Sequence, residues 1–161
     1  MRGLGFKMAG AVGLAGLVMA ISAGAASAST NTVTVGPGTV TGRILITVPV
    51  TVVCDPLPGK YVDAGISVTV QQANGKQVST ASGGISDSLP TPSALTCDGV
   101  TQNTLEIQAT PTPGSGPFHG GTAIVTANFN YDTGISYPGG YFQITNSESG
   151  TSGITVVSLH G

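Results

Sequence analysis

Charge is scarce in this chain. Asp, Glu, Lys and Arg make up only 7% of its 161 residues, and the net charge is −2. That balance leaves no basic footprint for nucleic acid. Tryptophan is absent, and Tyr and Phe number four each. Histidine occurs twice, at His119 and His160, so no pair stands at metal-ligand spacing, and no Asp-x-Asp run offers a calcium loop. No metal or other cofactor is expected. Cysteine also occurs only twice, at Cys54 and Cys97, which rules out a Cys-x-x-Cys redox motif. The good helix formers Glu, Lys, Arg and Leu are few, and a 40% hydrophobic fraction excludes disorder of the chain as a whole.

A single long uncharged run, Met8–Ala28, follows a short basic stretch, Met1–Lys7. Ala26-Ser27-Ala28 then supplies small-x-small residues for cleavage, so residues 1–28 read as a secretory signal peptide. The competing reading is an uncleaved anchor, which the Gly- and Ala-rich composition of the run disfavours. Cleavage leaves one domain, residues 29–161, secreted or loosely envelope-associated, with no membrane span. It carries Arg43, Lys60 and Lys76 against seven carboxylates, and its polarity comes mainly from 21 Thr and 13 Ser. In an oxidising compartment Cys54 and Cys97 are expected to form one disulfide. Closing a loop of about 43 residues would stabilise the fold by roughly 4 kcal/mol.

Period-two alternation runs through the exported part. Ile44–Cys54 places Ile44, Ile46, Val48, Val50, Val52 and Cys54 on one face, with Pro49 on the other as the mark of an edge or bulge. Ile66, Val68 and Val70 alternate up to Asn74-Gly75, which predicts a two-residue type I′ hairpin returning through Gln77–Ala81. Ser82–Ser93 reads as an exposed loop, and Thr104–Thr110 as a strand. After the loop Pro111–Gly121, Ala123 to Tyr131 alternate inward. Asp132-Thr133-Gly134 reads as a turn, with final strands at Tyr141–Thr145 and Ile154–Leu159. The expected fold is all-β: an immunoglobulin-like antiparallel sandwich with one disulfide, or alternatively a small β-barrel.

One string of features resembles a known group. Val52-Val53-Cys54, Ile66 through Gln72, Asn74-Gly75-Lys76, Cys97-Asp98-Gly99, Glu106 through Pro111 and Phe118-His119-Gly120-Gly121-Thr122-Ala123 follow one another over roughly Ile44–Asn128. This is similar to uncharacterised small exported β-sandwich proteins of high-GC Gram-positive bacteria. Those proteins pair a Cys with a later Cys-Asp-Gly and place Phe-x-x-Gly-x-Ala before a strand. The resemblance implies export and fold, and no activity. A fainter likeness to the enediyne-binding apoproteins, which carry two disulfides rather than one, implies carriage of an apolar small molecule.

No catalytic constellation emerges. Gly84-Ile85-Ser86-Asp87-Ser88 ends in Ser where a nucleophile elbow needs Gly. The candidate binding-loop residues are Phe118 and His119 in the loop Pro111–Gly121, and Tyr137, Tyr141 and Phe142 around Pro138-Gly139-Gly140. Phe118 is expected to tuck beneath its loop and His119 to be a surface turn residue. The three later aromatics are expected to fill the core where the last strands close, with an exposed stacking or anchoring cluster as the rival reading. The expected role is non-enzymatic: an extracellular or envelope-associated binding or structural module whose partner is cell-envelope polysaccharide or protein. The alternatives are a soluble carrier and a self-assembling surface subunit.

Overall fold

The computed structural model describes residues 31–88, 95–139 and 141–161. The expected signal peptide, and residues 89–94 of the expected loop, lie outside the described residues. The described residues form nine strands: β1 (Thr32–Val35), β2 (Gly38–Thr41), β3 (Leu45–Val53), β4 (Lys60–Asn74), β5 (Gln77–Ser88), β6 (Asn103–Pro111), β7 (Gly121–Ser136), β8 (Phe142–Thr151) and β9 (Thr155–His160). No helix among the described residues is long and apolar enough to cross a membrane.

Seven strands close a ring in the order β3, β2, β9, β7, β4, β5, β6 and back to β3. The hydrogen bonding is therefore that of the barrel alternative rather than of two separate sheets. Every pairing is antiparallel except β2 with β9, where Gly38 meets Leu159 and Thr39 meets His160 in parallel. β1 continues the edge of β3 beyond β2, and β8 continues the edge of β7 beyond β9. Those two strands face each other without a ladder, linked by Asn31 Nδ2 donating to Glu148 Oε2 at 3.2 Å.

Two glycines explain how a sheet of bulky Val and Ile residues closes. A β-carbon on Gly83 would lie 1.8 Å from the Gln108 carbonyl oxygen, and one on Gly38 would lie 2.9 Å from Leu159 Cδ2. The Gly83 seam thus admits no side chain, because the blocking atom is backbone, whereas at Gly38 the Leu159 side chain would have to give way. The expected loop at Ser82–Ser93 is corrected accordingly, because β5 runs on through Gly83-Gly84 to Ser88 and reaches β6 at Ala81 to Gly83. The expected turn at Asp132-Thr133-Gly134 is likewise a bulged continuation of β7, whose register shifts between Thr133 and Gly134. The hairpin between β4 and β5 turns at Gly75-Lys76, and only Gly75 has positive φ (63°). That is the type II′ pattern, not the expected I′.

The alternation fills the interior except at Ile44, which lies in the turn before β3 and is 69% exposed rather than on the inward face. Ile46, Val48, Val50 and Val52 of β3, Val70 of β4, Ile107 of β6 and Val125 of β7 are all fully buried. Burying such a side chain contributes about 1.5–3 kcal/mol relative to leaving it exposed. Pro49 sits within β3 at the break between β1 and β2, where its carbonyl accepts a hydrogen bond from Gly36 N at 2.9 Å. A residue without an N–H is tolerated there because the ladder is already interrupted. Cys54 and Cys97 form the expected disulfide, with Cα atoms 4.6 Å apart. The bond is compatible with an oxidising, extracellular setting.

Candidate binding surface

Two regions hold the candidate residues, and the structure does not bring them together into one site. The loop from Thr112 to Gly120 is fastened across the end of the β4–β5 hairpin. Buried Gln72 donates from Nε2 to the His119 carbonyl at 2.8 Å and accepts from His119 N–H at Oε1, 3.0 Å. Ser79 Oγ donates to the Pro117 carbonyl at 3.3 Å, and Ser115 Oγ accepts from Thr80 N–H at 2.7 Å. These bonds drive Phe118 into the interior, where it is fully buried. Phe118 is thereby a plug, unavailable to a ligand.

His119 is exposed, with Nδ1 2.8 Å from the Gly120 carbonyl. That nitrogen carries the proton, since a lone pair there would face the carbonyl oxygen. The neighbouring recess, about 260 Å³, is lined by Arg43, Asn74, Pro117, Phe118 and His119. It contains no carboxylate or hydroxyl to pair with the imidazole. Arg43 is the one non-glycine residue with positive φ (65°) among those described. It follows Gly42 (φ 60°) in the tight turn from β2 to β3.

The acidic residues lie apart from this loop. Asp63 and Asp132 stand directly opposite each other on β4 and β7. Asp63 Oδ1 is buried without a hydrogen-bond partner, whereas Asp132 accepts from Ser147 Oγ. Asp98 caps its own turn, accepting from Val100 N–H, Thr101 N–H and the Thr101 hydroxyl. Those bonds, the Thr101 hydroxyl first, hold its carboxyl below the usual range. Among the described residues no three His, Cys, Asp or Glu side chains gather as a metal site would require.

The second region is the hairpin of β7 and β8. β4 begins at Lys60, opposite Gly134, so from Ile135 onward the hairpin projects past its neighbour. Ile135 pairs with Gln143 and Ser136 with Phe142; at the tip Tyr137 N–H donates to the Tyr141 carbonyl at 2.8 Å. The Tyr137 hydroxyl donates to Gln143 Oε1 at 3.0 Å, which places it on the Ile135–Gln143 face. Tyr141 shares that face by alternation, and Phe142 and Ile144 occupy the other. Fractional exposures are 51% for Ile135, 47% for Tyr137, 75% for Tyr141, 48% for Phe142 and 55% for Ile144.

The expectation that these aromatics fill the core is therefore corrected. Among the described residues the β4 ladder on β7 ends at Lys60 opposite Gly134, and beyond it these side chains stay exposed. The signal in the sequence was their position on either side of Pro138-Gly139-Gly140, since residues beside a tight turn lie near solvent. No family model, curated protein or solved structure matches this chain.

Proposed function

We propose that this protein is an exported, non-enzymatic binding module of the bacterial envelope and that it engages its partner through the β7–β8 hairpin. The observation that carries this reading is the run of exposed aromatic and aliphatic side chains on a projecting ribbon: Tyr137, Tyr141 and Phe142, with Ile135 and Ile144. Aromatic rings held in solvent by a hydrogen-bonded hairpin can stack on sugar rings or anchor a protein partner, and they lose little conformational entropy in doing so. The hydroxyl-rich, charge-poor surface suits the same contacts. The disulfide and the leader-like sequence of residues 1–28 support placement outside the cell.

Carriage of an apolar small molecule finds less support, because Phe118, Phe129, Ile46, Ile66 and Ile107 occupy the interior with at most 2% exposure each. The deciding experiment is co-sedimentation of the purified protein with washed cells and isolated wall polymer. Saturable pelleting is expected, with loss of at least about tenfold in affinity for Tyr141→Ala, the size of effect typical of an anchor residue. Pelleting unchanged by Tyr141→Ala and Phe142→Ala would move the contact elsewhere, and no pelleting at all would refute envelope binding.

A further inference from the structure

Among the described residues β8 has a ladder partner on only one side. It pairs with β7 along its length, while its other edge meets β1 only near Glu148 and Gly150, without a ladder. Tyr141, Phe142, Gln143, Ile144 and Thr145 are five consecutive exposed residues, so both faces and the outer edge of this stretch lie in solvent. The usual guards of an open edge are missing: Tyr141–Thr151 contains no Lys, Arg or Pro, and Glu148 is its only charge.

We propose that this edge pairs with the same edge of a second copy of the chain, antiparallel and centred on Gln143. The inference rests on the reading that the hairpin is the working surface, and it names one partner found there. In this register Phe142 faces Ile144 of the second copy, and Ile144 faces its Phe142. On the opposite face Tyr141 meets Thr145 across the two-fold axis. Glu148 falls outside the overlap, so no like charges confront each other.

A ligand such as a sugar ring covers one face of a ribbon, whereas an added strand extends both, and here both faces carry exposed apolar residues. The five apolar side chains present on the order of 500 Å², of which edge pairing covers only part. A stable interface uses roughly 800 Å² per partner, which places this pairing in the weak, concentration-dependent class. Edge pairing leaves the Tyr137 and Tyr141 rings accessible, so the dimer carries a doubled aromatic platform.

Two measurements test the register. In sedimentation velocity from micromolar to millimolar concentration, the wild type should show a reversible dimer. Phe142→Lys should weaken it by about tenfold or more, and the double variant Phe142→Lys/Ile144→Glu should restore it, because the new charges then face each other. Cys54 and Cys97 are both in the disulfide. Gln143→Cys therefore introduces a single free thiol on the symmetry axis and should oxidise to a covalent dimer faster than Ile154→Cys, whose site is 79% exposed at the start of β9.

Equal cross-linking at both positions, or a dimer indifferent to Phe142→Lys, would overturn the pairing. A strict monomer that still pellets with wall polymer through Tyr141 would overturn the pairing and leave the binding reading standing. A monomer that does not pellet would end both.

Discussion

The Cα of Gly83 and the carbonyl of Gln108 are so close that a β-carbon on Gly83 would sit 1.8 Å from the oxygen. Here β5, paired with β4 on one edge through Ser88, meets β6 on its other edge, so the contact marks one of the two seams that turn the sheet into a ring. Gly38 against Leu159 marks the other. The resulting frame is closed along most of its circumference. Among the described residues β1 and β8 lie off the ring, and the exposed aromatics collect on the β7–β8 hairpin.

Gly83→Ala is expected to force the seam apart and cost at least about 3 kcal/mol, since backbone cannot yield as a flexible side chain would. Gly114, with φ 81° and open space around it, is the control; Gly114→Ala should cost only about 1 kcal/mol through its backbone conformation. Urea denaturation of the two variants checks the difference, and equal losses would show that the seam is not close-packed.

The alternating faces of β3, β6 and the first half of β7 were legible in the sequence because Val, Ile and Ala recur every second residue there. The disulfide was legible from two cysteines in a chain that opens with a leader-like sequence. β2, the second half of β5 and the end of β7 were not, because a glycine that admits a neighbouring backbone reads the same as one that turns the chain. The exposure of Tyr141 and Phe142 was hidden for another reason. It depends on where β4 begins, some 80 residues earlier in the chain, and no local pattern records that.

Gln72 ties the plugging loop to the barrel by two hydrogen bonds to one residue. Gln72→Leu fills similar space but leaves the His119 N–H and carbonyl unpaired, and should cost about 2–4 kcal/mol. Amide exchange at His119 should accelerate in parallel. A loss below about 1 kcal/mol would mean that burial of Phe118 alone seats the loop.

Asp63 and Asp132 confront each other across β4 and β7, and Asp63 Oδ1 has no donor. Asp63→Asn removes a cross-strand like-charge pair and provides an amide donor beside Asp132. A gain of about 0.5–1 kcal/mol at neutral pH is expected from thermal or urea denaturation.

Asp98 shows the opposite electrostatics. Its folded pKa lies below the model-peptide value because its carboxylate accepts three hydrogen bonds. The stability this contributes is present above the unfolded pKa and is lost as pH falls through the folded one. Thr101→Val removes the largest cause and should move the Asp98 titration upward toward 3.8. Carboxyl-carbon NMR titration reads this directly, and an unmoved midpoint would assign the depression to backbone donors alone.

The claim on which the functional account turns is that partners meet the β7–β8 hairpin. Residue-resolved hydrogen exchange of the protein, alone and with saturating isolated wall polymer, tests it most directly. The account predicts fast exchange at the outward-facing amides of Tyr141–Thr145 in dilute protein and protection centred on residues 135–145 when polymer is added. Protection confined to the Thr112–Gly120 loop and Arg43, with the hairpin unchanged, would contradict it.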